Sequence, residues 1–87
     1  MHPEHYRNAF SQGLHRRGDY RLESIESPGT EFAFGVYSGD IPDILARVYL
    51  EEEGETPDLD LTETAAELGM EEDIREAYEN AKRIAEI

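Results

Sequence analysis

The hydrophobic residues change their period near the middle of the chain. Between residues 32 and 36 they alternate with small residues, which is the period of two expected for a strand with one buried face. After a turn ending at Asp40, a good N-cap, they recur at intervals of three to four, which predicts a central helix over about residues 41–50. The two apolar sets are Phe32, Phe34 and Val36, then Ile41, Ile44, Leu45 and Val48.

Two elements are predicted before this unit. Apolar residues at intervals of four after Pro3 favour a first helix over about residues 3–17. Apolar residues then indicate a strand over about residues 20–25, and residues 27–30 place proline and glycine at the central positions of a type II turn. This strand and the next are therefore predicted to form a β-hairpin.

Three elements are predicted after it. Residues 58–61 alternate and could add a third short strand, which would support the hairpin because two strands alone are rarely stable. Thr62 could cap a short helix that ends before Gly69, and a longer amphipathic helix begins near residue 71. The predicted fold class is α+β, with an N-terminal helix, a β-hairpin, a central helix and two C-terminal helices.

The composition narrows the class of protein. The 87 residues fit one small acidic domain, residues 1–87, with little room for a deep pocket. There is no cysteine, so neither disulfides nor thiolate metal sites can brace the core. No apolar run approaches the roughly 18 residues of a membrane span, and the first residues lack the order of a signal peptide. We therefore expect a cytoplasmic protein without cofactors.

Charge is distributed unevenly along the chain. Residues 1–21 contain four arginines and two acids and so have a net charge of +2, whereas residues 22–87 have a net charge of −15, which together give the total of −13. The strongest block is residues 51–79, where thirteen acids accompany a single base, Arg75. Such a surface repels phosphate, which argues against direct nucleic-acid binding, and it attracts a basic protein surface.

Few residues suggest metal binding or catalysis. His2 and His5 could share one side of a helical turn with His15 nearby, but their spacing lacks the glutamate and the four-residue interval of a zincin helix. The segment 58–69 begins like a calcium loop yet lacks its turn glycine and closing glutamate. There is no nucleophile elbow or phosphate-binding glycine loop, and the carboxylates lie on predicted solvent faces. We expect no metal site and no enzymatic activity.

About 25 residues near the C-terminus resemble a helix-turn-helix motif. The first helix and turn would be residues 61–70, Leu-Thr-Glu-Thr-Ala-Ala-Glu-Leu-Gly-Met, and the second helix follows them. The chain departs from that family at the recognition helix, whose acids DNA phosphates would repel. If the motif is present, we expect a scaffold for a protein contact. The alternative is two ordinary amphipathic helices joined at a glycine.

Tyrosines beside carboxylates complete the candidate site, because tyrosine gives a large contact area at low entropic cost, although it can equally cover the rim of a small core. We expect a non-catalytic binding module or inhibitor whose acidic face docks on a basic, nucleic-acid-binding surface of a larger protein. Small acidic phage-encoded inhibitors, including anti-CRISPR proteins and nucleic-acid mimics, are similar in size and charge. The candidate partner-binding residues are Glu51, Glu52, Glu53, Glu55, Asp58, Asp60, Glu72, Asp73, Glu76, Glu79, Tyr37 and Tyr49.

Three alternatives stay open. Acidity combined with a single lysine, Lys82, against seven arginines fits a cytosolic domain of a salt-loving organism. The chain could also be a degenerate helix-turn-helix regulator or antitoxin that dimerises through its C-terminal helices. A small enzyme is the remaining hypothesis. The sequence does not decide between a monomer and a homodimer.

Overall fold

The computed structural model describes residues 3–26, 32–50 and 57–85, which form three helices and one four-stranded sheet. In chain order the elements are α1 (Pro3–His15), β1 (Tyr20–Ser24), β2 (Phe32–Ser38), β3 (Ala46–Leu50), β4 (Asp58–Leu61), α2 (Glu63–Glu67) and α3 (Glu71–Ile84). The predicted α+β class is confirmed. Within these ranges no helix has both the length and the apolar character needed to cross a membrane.

The strands form an antiparallel meander in the order β1-β2-β3-β4. Phe34 of β2 pairs with Val48 of β3, which in turn pairs with Leu59 of β4. Because directly paired residues point the same way, these side chains lie on one side of the sheet, the core face. The residues that alternate with them form the open face: Arg21, Glu23, Ala33, Gly35, Tyr37, Arg47, Tyr49, Asp58 and Asp60.

Helices α1 and α3 pack together on the core face, where an aromatic cluster fills the space between helices and sheet. Phe34 is fully buried, and its ring centroid lies 5.9 Å from that of Phe10 and 6.3 Å from that of Tyr6, both in α1. Tyr78 of α3 contacts the same two α1 rings. The pairs Phe10–Phe34, Tyr6–Tyr78 and Phe10–Tyr78 are edge-to-face, an arrangement that adds to the stabilisation from burying the ring surfaces.

The prediction of a central helix over residues 41–50 is wrong, because the second half of this segment is the strand β3. Every second residue of β3 is buried and the two between them are half-buried, as in a strand. The apparent helical spacing combines side chains from different sides of the sheet: Leu45 is in the core, whereas Ile44 covers Gly35 on the open face. A Cβ on Gly35 would lie 2.5 Å from Cδ1 of Ile44, so glycine lets that isoleucine approach.

Pairing on both sides explains why the strand forms. β3 hydrogen-bonds with β2 on one side and β4 on the other, and its valine and tyrosine fit a pleated surface. The helix signals at Asp40 and Pro42 are local, and a capping residue contributes only about 1 kcal/mol. Tertiary pairing therefore outweighs the local preference, and the segment before β3 is a loop.

The other predicted elements are present. Helix α1 ends at His15, two residues before the predicted end, and β1 and β2 pair as the predicted antiparallel hairpin. The short strand predicted over residues 58–61 is present as β4. It is the fourth strand of the sheet and not the third, because the unpredicted strand β3 comes before it. Thr62 caps α2 as expected. The predicted turn at residues 27–30 lies outside the described residues.

Candidate functional site

The structure places the predicted partner-binding residues on two sides of the sheet. Four lie on the open face: Tyr37, Tyr49, Asp58 and Asp60. Four lie on α3, which packs over the core face: Glu72, Asp73, Glu76 and Glu79. The remaining four, Glu51, Glu52, Glu53 and Glu55, lie outside the described residues. The described members therefore belong to two separate surfaces.

The open face carries both signs of charge. The guanidinium of Arg21 lies 5.2 Å from the ring centroid of Tyr37, a cation–π contact. Asp60 forms an ion pair with the neighbouring Arg47 at 3.8 Å. Tyr49 is half-buried and pairs across the strands with the exposed Asp58. Because arginines lie among the acids, this face is a mixed surface and offers little net attraction for a basic partner.

Most acids of α3 have partners within the molecule. Asp73 accepts a hydrogen bond from the hydroxyl of Tyr20 at 3.0 Å, in a partly buried position. Glu76 lies 3.5 Å from Arg17, and Glu79 lies 3.2 Å from Lys82. Asp73 therefore ties α3 to β1, and its replacement would disturb the fold as well as any binding surface. Among the four predicted residues on α3, the exposed Glu72 has no hydrogen bond or ion pair to another described residue.

Three tyrosines on the core side have raised pKa values. Burial, followed by the hydrogen bond and the charge of Asp73, raises the pKa of Tyr20 to about 12. Burial raises the pKa of Tyr6, whose hydroxyl has no hydrogen-bond partner among the described residues. Burial also raises the pKa of Tyr78, against the opposing charge of Lys82. Because the raised pKa values come mainly from burial in the core, they make the free energy of unfolding depend on pH.

Sequence patterns did not indicate a further group of acids around α2. Asp40 and Asp43 are exposed in the loop before β3, and Glu67 is exposed in α2; all three line one surface groove. Within the described chain, none of these carboxylates has an ion pair or a hydrogen bond. The sequence assigns Asp40 and Asp43 to the start of a helix, where acids are expected for the helix dipole alone. Their position beside Glu67 follows from the loop and the strand that the structure has in place of that helix.

Both walls of this groove are fixed by one residue, Thr62. Its hydroxyl donates to the carbonyl of Ile44 at 2.8 Å, and its amide donates to the carbonyl of Leu45 at 3.0 Å, which holds the end of the loop. The same hydroxyl oxygen accepts from the amide of Ala65 at 3.4 Å and caps α2. At the other end of the loop, Arg21 donates to the carbonyl of Gly39 at 2.9 Å. The groove is therefore preformed.

The end of α2 exposes an apolar side chain at the groove. Gly69 has a φ of +69°, and its amide donates to the carbonyl of Ala66 at 3.2 Å, while that of Met70 donates to the carbonyl of Ala65 at 2.9 Å. This is a Schellman motif, with Leu68 as the C-cap. Leu68 is 47% exposed. The motif thus turns the chain sharply into α3 and leaves an accessible leucine beside Glu67.

The pair α2 and α3 has the helix, glycine turn and helix that the helix-turn-helix resemblance implies. The second helix buries Ile74, Ala77 and Ala81 in the core, and its exposed side chains include acids and bases: Glu72, Arg75, Glu76, Glu79 and Arg83. Helix α2 therefore lines the groove, and α3 packs in the core.

Residues 3–26, 32–50 and 57–85 contain no group of three or more histidine, aspartate or glutamate side chains arranged to hold a metal ion. Comparisons of the chain with protein-family models, with curated proteins and with solved structures found no match.

Proposed function

We propose that the chain is a non-catalytic protein-binding module or inhibitor whose acidic face docks on a basic, nucleic-acid-binding surface of a larger protein. The observation that carries the proposal is the set of carboxylates around α2 and the first turn of α3 that lack a partner among the described residues. We call this set the α2 acidic surface. It comprises Asp40, Asp43, Glu63, Glu67, Glu71 and Glu72.

Unpaired surface carboxylates favour association with a cationic partner. Charges already engaged in internal ion pairs, such as Glu76 with Arg17, contribute less to the external field than unpaired ones. None of the six residues is a base, and the bases nearest to them along the described chain are Arg47 in β3 and Arg75 in α3. Long-range attraction of this kind raises the association rate and suppresses wrong partners.

The chemistry of the partner follows from this charge. Proteins that bind nucleic acids present clustered lysines and arginines to neutralise phosphates, so their binding surfaces are strongly basic. An acidic module that occupies such a surface excludes the nucleic acid by competition. The similarity in size and charge to phage-encoded inhibitors, including anti-CRISPR proteins and nucleic-acid mimics, supports this choice of partner.

Neutralising three acids of the α2 acidic surface should slow partner binding. The variant carries Glu63→Gln, Glu71→Gln and Glu72→Gln, none of which lines the groove described above. With a nucleic-acid-binding partner captured from host lysate, we expect association about three- to tenfold slower at low salt, and a smaller difference as salt screens the charges. Stopped-flow or surface-plasmon measurements at two ionic strengths test this.

The matched control neutralises three acids elsewhere, by Glu4→Gln, Asp19→Asn and Glu26→Gln, and changes the net charge equally. It should associate nearly as fast as the wild type. Equal slowing in both variants would mean that only total charge matters, and unchanged association in the first variant would remove the α2 acidic surface from the interface.

The salt-loving alternative is favoured by the single lysine and makes a different prediction. Self-repulsion destabilises a compact acidic chain unless salt screens it, over a Debye length of about 8 Å at physiological ionic strength. We expect a cooperative thermal melt in about 0.15 M salt and only a modest gain in stability at higher salt. A circular dichroism spectrum of an unfolded chain until molar salt is added would favour the salt-adapted domain.

A further inference from the structure

The groove between the 39–45 loop and α2 combines apolar surface with unpaired carboxylates. It has a volume of about 510 Å³. Ile41, Pro42 and Leu68 give it apolar surface, and Leu68 is one of the two large hydrophobic side chains that are exposed in the described part of the chain. The carboxylates are those of Asp40, Asp43 and Glu67. No base is among the described residues that line it.

This combination matches one side chain in particular. Arginine has an apolar stem that lies along hydrophobic surface and a charged head that stays at its edge. Its guanidinium is weakly hydrated and offers a fork of donors that can serve more than one carboxylate, whereas a lysine ammonium is strongly hydrated. An apolar floor bordered by carboxylates therefore suits arginine better than a purely aliphatic or a purely polar group.

We propose that this groove holds an arginine side chain of the basic partner, together with an adjacent apolar residue that packs on Leu68. The inference rests on the proposed function and identifies the anchor point within the larger acidic surface. The three carboxylates of the groove, with no base among the described residues that line it, are complementary in charge to arginine. Thr62 holds the loop and α2 in a fixed position, which lowers the entropic cost of binding. The remaining acids of the α2 acidic surface steer the encounter.

The test uses three synthetic peptides of equal length in an NMR titration of the whole chain. One alternates arginine and leucine, the second alternates arginine and serine, and the third alternates citrulline and leucine, which keeps the shape of arginine without its charge. We expect the arginine–leucine peptide to shift the amide signals of residues 40–43 and 67–69. The arginine–serine peptide should bind more weakly, and the citrulline–leucine peptide weakest of all.

Two matched variants locate the contact. Leu68→Ala should weaken binding of the arginine–leucine peptide about five- to tenfold, because the leucine loses an apolar partner surface. Ile84→Ala, which truncates the other exposed large hydrophobic residue at the end of α3, should leave it unchanged. Asp43→Asn combined with Glu67→Gln should weaken the two arginine peptides and not the citrulline peptide. All four positions are exposed, so these variants should keep the fold.

The outcomes separate this inference from the function on which it rests. If the arginine peptides shift residues 63, 71 and 72 but not the groove, and Leu68→Ala binds like the wild type, the groove is not the anchor and the acidic docking surface still stands. If neither arginine peptide shifts any acidic segment at low salt, both are overturned. Equal binding of the arginine and citrulline peptides at the groove would also overturn the inference, because the carboxylates would then play no part.

Discussion

Replacing Phe34 with alanine is expected to lower the free energy of unfolding by about 3 to 5 kcal/mol. Phe34 is fully buried, pairs with Val48 in the centre of the sheet, and contacts the rings of Tyr6 and Phe10. Truncation removes this burial and leaves a cavity between sheet and helices that the rigid strands cannot close. Since small domains have about 5 to 15 kcal/mol of stability in total, much of the variant should be unfolded near physiological temperature.

A residue on the same strand provides the control. Tyr37 lies three positions further along β2 on the open face, where it is half-buried beside Arg21. Tyr37→Ala should cost only about 1 kcal/mol, because most of its ring surface does not belong to the core. Urea melts of both variants measure the difference. A loss below about 1 kcal/mol for Phe34→Ala would show that the core is not built around this ring.

The strands and helices that sequence periodicity predicts correctly are those whose apolar residues face one packing surface. In β2, Phe34 and Val36 are buried on the core face, and in α3 Ile74 and Ala77 are buried at helical spacing. Such elements can be predicted locally because burial follows the geometry of the chain itself. The α+β class and the short strand at residues 58–61, now β4, are predictable for the same reason.

The 41–50 segment could not be predicted in this way because its apolar residues serve two different surfaces. Leu45 enters the core, whereas Ile44 covers Gly35 on the opposite side of the sheet. The clue in the sequence was the alternation within Ala46–Leu50, whose valine and tyrosine favour strands. That clue competes with a good capping residue at Asp40. The outcome is decided by hydrogen bonding of β3 with β2 and β4, two strands that lie outside the 41–50 segment.

The candidate site shows the same division between local and tertiary information. Total charge and its concentration after residue 22 are visible in the sequence and indicate a basic partner. Which carboxylates remain available is a tertiary property, because Asp73 is engaged by Tyr20 of β1 and Glu76 by Arg17. The groove depends on Thr62 holding a loop against α2, and no spacing rule predicts that contact.

Alkaline pH should unfold this domain through its core tyrosines. The pKa of Tyr20 is raised to about 12 in the folded chain, against 10.0 for an unperturbed tyrosine. The folded state therefore keeps this proton at pH values where the unfolded state has lost it, so the contribution to stability is fully present below about pH 10 and is lost as the pH rises to about 12. Tyr6 and Tyr78, whose pKa values are also raised, act in the same direction.

The expected loss is on the order of 2 kcal/mol for Tyr20 alone, since one pKa unit corresponds to about 1.4 kcal/mol, and burial of Tyr6 adds to it. Urea melts between neutral pH and about pH 12, together with the ultraviolet absorbance of tyrosinate, measure both stability and ionisation. Tyr20→Phe should be less stable than the wild type at neutral pH, because Asp73 loses a partner, but should lose less stability on the way to alkaline pH. Parallel curves for the two proteins would contradict this account.

Replacing the partner of Tyr20 separates the two causes of its raised pKa. Burial is the largest cause, and the hydrogen bond and charge of Asp73 follow. Asp73→Asn removes the negative charge and keeps a side chain that can accept from the hydroxyl, so ionisation of Tyr20 should shift only part of the way back toward the ordinary value. Most of the alkaline loss of stability should therefore remain. If it disappears in Asp73→Asn, the charge of that carboxylate dominates and the hydroxyl of Tyr20 is better hydrated than its position between β1 and α3 implies.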